Sequence, residues 1–176
     1  FNIIKIECQS EKLNKNEKLL FKILDVLINN KFTKNSIVVS MGGGVIGDVS
    51  GLASSLYLRG LIYVSIPTTM TAIVDSSIGG KTAINYKGII NSVGNYYHPK
   101  FVFILDKIIK KIPKREFTAG IAEVIKCGII GNSKVLKLLD NKQKAIEERR
   151  SSIIFEICYL TLKTKIDFFI KNIYEK

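Results

Sequence analysis

The stretch Ser36–Gly51, SIVVSMGGGVIGDVSG, constrains the fold more than any other part of the chain. A short β-branched run ends at three consecutive glycines, Gly42–Gly44, and a helical pattern follows with Val49, Leu52, Ala53 and Leu56 on one side. This is a strand, a glycine turn and a helix. Glycines let the backbone approach a ligand without a Cβ in the way. The helix N-terminus supplies unpaired N–H groups and the positive end of a dipole, which suits a pyrophosphate. The spacing differs from the GxGxxG fingerprint of the usual dinucleotide fold. A tight turn without a ligand is the plainer reading, and the strand–turn–helix context weighs against it.

The rest of the first two thirds continues the alternation. Leu19, Leu20, Ile23, Leu24, Leu27 and Ile28 form a helical stripe, and Asn2–Glu7 alternates weakly, as a strand would. Leu61–Ile66, stopped by Pro67, and Phe101–Leu105 read as further buried strands. Strands alternating with helices predict an α/β fold with a Rossmann-like parallel sheet. After Pro113 the texture changes to three helical patterns without a strand, over Arg115–Ile130, Ser133–Arg149 and Ser151–Tyr174. The expectation is an α/β nucleotide-binding domain over 1–112, followed over 113–176 by the beginning of an all-helical domain.

Composition narrows the partners. With 176 residues and 47% apolar content the chain is globular, and its first residue is Phe1, so a natural start upstream is expected. No secretory signal pattern and no apolar stretch of membrane length is visible, so no membrane partner is expected. The net charge of +12 comes from scattered lysines such as Lys12, Lys15, Lys18 and Lys22, without interleaved aromatics. That pattern reads as solvated helix faces, with no nucleic-acid partner, and its positive field favours a phosphorylated substrate. Cys8, Cys127 and Cys158 have neither metal-ligand nor disulfide spacing, so ordinary thiols in a reduced, cytoplasmic setting are expected.

Five motifs carry a more specific signal: GGGVIGD (Gly42–Asp48), YLRG (Tyr57–Gly60), IPTT (Ile66–Thr69), DSSIGGKTAIN (Asp75–Asn85) and GIAEVIKCGII (Gly120–Ile130). In this order and at these intervals the chain resembles the 3-dehydroquinate synthases. Iron-type alcohol and glycerol dehydrogenases share the glycine turn and the PTT but lack the DSSxGGKT and AEVIK segments. The resemblance covers nearly the whole chain and about half of a typical member. It implies an NAD- and metal-dependent carbon–oxygen lyase of the shikimate pathway, which feeds aromatic amino acid biosynthesis. The substrate it implies is 3-deoxy-D-arabino-heptulosonate 7-phosphate. One hydroxyl is oxidised transiently, phosphate is eliminated, the ketone is re-reduced and the ring closes to 3-dehydroquinate.

The resemblance also assigns residues. Glu123 matches a metal ligand for zinc or cobalt, where a Lewis acid acidifies a substrate hydroxyl. Lys126, one turn further along that helix, matches a substrate contact, and so do Asp75 and Lys81, which complete the catalytic set. Without the family, Glu123 and Lys126 would read as a surface ion pair. Asn91 matches a phosphate-side contact, and Arg59 matches an arginine that reaches the phosphate of a neighbouring subunit, so a homodimer is expected. For NAD the matching positions are Gly43, Gly44, Val45, Asp48, Thr68 and Thr69, the stretch Ile108, Ile109, Lys110 and Lys111, and Glu11 near the start. The accompanying lysine is Asn14 without a gap, or Lys15 with one inserted residue.

Three departures stand out. The family's cofactor lysine before IGAFYQP is Ile90 here, in GIINSVGNYYHP, with Lys87 three residues earlier. The two metal histidines of a later family segment have no counterpart, since His98 matches a position that is not a ligand. The opening strands of the family's α/β domain and most of its helical domain are also absent. With Glu123 alone, three-ligand metal coordination from this chain is not expected. Alternative readings are another sugar-phosphate cyclase, making a deoxy-inosose or a valiolone, and a degenerate, non-catalytic nucleotide-binding module.

Overall fold

The computed structural model describes residues 2–8 and 14–171, with Lys171 described by its backbone alone. Glu11 and Tyr174 lie outside the described residues. The segment 2–8, where a strand was expected, has no regular secondary structure; Ile6 packs against an apolar surface while Ile3 stays 86% exposed.

Helix α1 (Glu17–Asn29) starts where Asn16 accepts hydrogen bonds from the Lys18 and Leu19 amides, and it buries Leu20, Ile23 and Leu27. Strand β1 (Ile37–Gly42) leads through Gly43, the N-cap, into α2 (Gly44–Leu56). Strand β2 (Ile62–Pro67) lies parallel to β1, with Val39 opposite Val64. Strand β5 (Phe101–Val102) joins β2 on its other side, also parallel. The expected α/β parallel sheet is therefore present, in the order β1-β2-β5. The strand expected over Phe101–Leu105 is cut short. After the Phe103 amide donates to the Ser65 carbonyl at 2.9 Å, the next donor on β2 would be Pro67, which has no N–H.

Between β2 and β5 the chain forms a hairpin that the sequence reading missed. Strands β3 (Lys81–Tyr86) and β4 (Ile89–Tyr96) pair antiparallel through a two-residue turn in which Lys87 (φ 48°) and Gly88 (φ 80°) are both left-handed. Helix α2 packs between this hairpin and one face of the parallel sheet. Thr82 sits so tightly on α2 that a Cβ at Gly51 would come within 2.5 Å of it. The other face of β1 is bare, with Ile37, Val39 and Met41 all more than half exposed.

Beyond Pro113 the described residues are helical, as expected: α3 (Asp106–Ile109) precedes α4 (Lys114–Gly131), α5 (Ser133–Asn141), α6 (Gln143–Glu147) and α7 (Ser151–Lys171). The single helix expected over Ser133–Arg149 breaks at Lys142, and the bend turns Ile146 into the core. Arg149 takes a left-handed φ of 52° and donates to the Ile109 and Lys110 carbonyls, its guanidinium 4.8 Å from the Phe117 ring.

Two cores result. One unites α1, α2 and Ile84 of the hairpin. The other gathers α4, α5, α6 and α7 around Met70, Ile73 and Val74, residues that follow β2 directly. Gly120 makes that junction close, since a Cβ there would lie 2.4 Å from the Met70 side chain.

Candidate functional site

The glycine turn lies at the carboxyl end of β1. Gly43 caps α2 without a side-chain hydrogen bond, which leaves the first-turn amides without a capping partner. The Thr68 amide donates to the Gly42 carbonyl at 2.9 Å, and Thr69 packs against the turn, with its Cγ2 3.0 Å from where a Gly43 Cβ would be. Thr69 Oγ1 in turn accepts from the Ala72 amide at 3.2 Å. Val45 opens α2 beside these groups. Beneath them Tyr63 donates to the Gly47 carbonyl at 2.9 Å and pairs with Ser40, a buried strut between β2 and the helix start. Burial pushes the Tyr63 hydroxyl above its ordinary pKa.

A cleft of about 870 Å³ opens beside the hairpin and the crossing of α4 with α7. Asp75, Lys81, Asn91, Glu123 and Lys126 all line it, so residues from two of the five motifs meet in one place, with Asn91 of the following segment beside them. Asp75 sits on a π-helical turn, Ala72–Ser76, a backbone form that concentrates at functional sites. Lys81 begins β3 after Gly80, whose φ of 70° and contact with the His98 ring leave no room for a side chain. His98 packs edge-on to Phe169 at 5.2 Å. Glu123 and Lys126 form an ion pair on α4, and the carboxylate holds the ammonium above its ordinary pKa.

Asp48 lines both this cleft and the small cavity under the glycine turn. Burial raises its carboxyl pKa, while Lys15 pulls it back down. Lys15 pairs with Asp48 and also donates to the Asn91 side chain, so the inserted-residue alignment brings its lysine to the site.

Other expected residues lie apart. Arg59 does not line the cleft; it is exposed on a short 3-10 turn where Leu58 (φ 50°), Arg59 (φ 63°) and Gly60 (φ 122°) are left-handed in succession. Ile108–Lys111 straddles the end of α3. There the Ile109 side chain is buried in the helical core, and the Ile109 and Lys110 carbonyls are held by Arg149. Sequence reasoning also missed a residue that the cleft uses. Lys165 of α7 donates to Asp75 Oδ1 at 2.7 Å and to its backbone carbonyl. Thr161, Thr164, Lys165 and Phe168 share one cleft-lining stripe of α7, at the i, i+3, i+4, i+7 spacing that was the available signal.

The family model described as 3-dehydroquinate synthase N-terminal matches residues 5–119. The chain belongs to the 3-dehydroquinate synthase family. The 3-dehydroquinate synthase of Prochlorococcus marinus (strain AS9601) is 44% identical over 154 residues, covering 86% of this chain and 42% of its own length. Among solved structures, 2-epi-5-epi-valiolone synthase from Streptomyces hygroscopicus subsp. jinggangensis 5008, with NAD+ and Zn2+ bound, superposes with a TM-score of 0.90. It is 26% identical over 96% of this chain and 48% of that one. A 2-deoxy-scyllo-inosose synthase complexed with carbaglucose-6-phosphate, NAD+ and Co2+ gives a TM-score of 0.65, at 32% identity over 68% of this chain and 32% of that one. The chain thus spans less than half the length of these 3-dehydroquinate synthase relatives.

Proposed function

We propose that this chain is the nucleotide-binding and cleft-forming part of a 3-dehydroquinate synthase, acting on 3-deoxy-D-arabino-heptulosonate 7-phosphate. The observation that carries the proposal is Asp48, which fronts both the glycine-turn cavity and the cleft lined by Asp75, Lys81, Asn91, Glu123 and Lys126. A cofactor on the turn and a phosphorylated sugar acid in the cleft would share that wall. The division falls near Ile112, with the α/β part over 1–112 and the helical part over 113–176, although Met70–Val74 pack into the helical core.

The residues fit NAD. The uncapped first turn of α2 receives a pyrophosphate, and a Cβ at Gly43 would press on Thr69. Bound there, NAD supplies the reversible oxidation of one secondary hydroxyl. Around it Lys81, Lys126 and Lys165 bring positive charge to phosphate and carboxylate, while Asp75 accepts hydrogen bonds from hydroxyls. Lys165 holds Asp75 in place for that task.

The residues do not fit a complete metal site. Among the described residues no group of three His, Cys, Asp or Glu side chains could hold an ion. Glu123 offers a zinc or cobalt ion one carboxylate, and tight sites take three or four ligands. Arg59, presented outward on its left-handed turn, supports a homodimer in which it meets the partner's ligand. Three free cysteines suit a cytoplasmic setting, and among the described residues no helix is long and apolar enough to cross a membrane.

The likeness to the 2-deoxy-scyllo-inosose synthase complexed with carbaglucose-6-phosphate, at 32% identity, favours a second reading, a cyclase for a neutral sugar phosphate. Calorimetric titration of the NAD-loaded chain with the heptulosonate phosphate and with a neutral hexose 6-phosphate separates the two. Preference for the sugar acid is expected; preference for the neutral sugar overturns the first reading, and absence of NAD binding overturns both.

A further inference from the structure

Among the described residues, three side-chain polar atoms are closed to solvent without an aligned hydrogen bond: Ser77 Oγ, Glu123 Oε2 and Thr161 Oγ1. Buried polar atoms are paired in the great majority of cases, so each exception asks for a cause. All three residues border cavities, Ser77 under the glycine turn and Glu123 and Thr161 in the large cleft. Glu123 has Lys126 as an ion-pair partner. The Thr161 hydroxyl has none.

A helical threonine has a ready remedy, since its hydroxyl can donate to the carbonyl four residues back. Thr164, one turn further along α7, does so to Leu160 at 2.8 Å, and Ser54 does so to Ser50 at 2.7 Å. Thr161, only 1% exposed, forgoes it. Its own backbone carbonyl accepts from Cys127 Sγ at 3.4 Å, which fixes this turn of α7 against α4 one helical turn beyond Glu123. Thr161 thus borders the α4–α7 wall of the cleft with its hydroxyl turned from water, and a turn of χ1 between the two rotamers a helical threonine adopts would bring that hydroxyl to a bound ligand, where a hydrogen bond discriminates strongly between a ligand that can complete it and one that cannot.

We propose that Thr161 is a ligand-contacting residue of the cleft, pairing its hydroxyl with a hydroxyl or carbonyl oxygen of the sugar phosphate. This deepens the function proposed above and rests on it. The test is calorimetry of the 176-residue chain with NAD and then with 3-deoxy-D-arabino-heptulosonate 7-phosphate, beside thermal melts, for Thr161→Val and Thr161→Ser. Valine keeps the shape and removes the hydroxyl. Thr161→Val is expected to weaken sugar-phosphate binding about tenfold, the worth of one hydrogen bond made out of water. NAD binding should be unchanged and the melting temperature equal or higher, because no internal hydrogen bond is lost. Thr161→Ser should restore the affinity. Unchanged sugar-phosphate binding by Thr161→Val overturns this inference alone. A melting temperature that falls in Thr161→Val and recovers in Thr161→Ser, with binding unaltered, assigns the hydroxyl to an internal water and also overturns it. If the unaltered chain binds NAD but not the sugar phosphate, the substrate reading fails and this inference fails with it.

Discussion

The glycine turn and the charged cleft are built in opposite ways. The turn is contiguous in sequence and works through backbone, so only the absence of Cβ atoms at Gly43 and Gly44 and the helix start behind them matter. The cleft is assembled from segments far apart, with Asp75, Lys81, Asn91, Glu123, Lys126 and Lys165 brought together by packing. It works through side-chain charge. A backbone site tolerates most side-chain changes and fails abruptly at its glycines; a side-chain site weakens by degrees.

The largest effect should come from testing the first half of that contrast. Gly43→Val places a branched side chain against Thr69 and over the α2 amides, and NAD affinity is expected to fall more than 100-fold. Sugar-phosphate binding should change less than about threefold, because one side chain on the turn leaves the cleft's cations in place. Equal losses of both ligands in calorimetry would dissolve the distinction between the regions.

Next comes the graded response of the cleft. Lys165→Met removes a cation and frees Asp75, and sugar-phosphate affinity is expected to drop roughly 10- to 50-fold with NAD affinity retained, the lower part of the range for a charged hydrogen bond. Full affinity in that variant would mean that Lys165 only braces α7 against the π-helical turn.

The helical side also carries an alkaline weakness. Burial lifts the Cys158 thiol to about 12, from 9.0. With the folded value above the unfolded one, its contribution to stability is complete below about pH 9 and is lost as pH rises toward 12. Across that window each pH unit should cost up to about 1.4 kcal/mol, read as a falling urea midpoint. Cys158→Ala should flatten the slope; an unchanged slope would place the alkaline loss elsewhere, for instance at Tyr63 beneath the glycine turn.

The smallest effect is expected at Ile90, which is 76% exposed on β4. Ile90→Lys should tighten NAD by no more than about fivefold, since an exposed cation gains little in water. A larger gain would show that this position reaches the cofactor as its lysine counterpart does in the family.

What could be read in advance follows the same divide. The turn was legible because strand, glycines and helix adjoin, and the helices of the second core were legible from their apolar period. The β3–β4 hairpin was not, because Lys87–Gly88 lacks the Asn-Gly or Asp-Gly cue of a left-handed two-residue turn and Ile89–Tyr96 shows no burial alternation. Lys165 escaped notice because its partner, Asp75, is 90 residues away and only the packing of α7 against the π-helical turn joins them. The break at Lys142 answers to the core's need for Ile146, a demand with no local signature.

Asp48 has one more consequence. Two ligands placed as proposed would border the same carboxylate, whose counter-ion is Lys15, and could not bind as strangers. Whichever arrives first fixes the pair for the other, and the two binding free energies are then linked. By reciprocity, the factor by which NAD alters affinity for the sugar phosphate equals the factor by which the sugar phosphate alters affinity for NAD. With both ligands bound as proposed, cooperativity between cofactor and substrate would run through a single side chain in the second turn of α2.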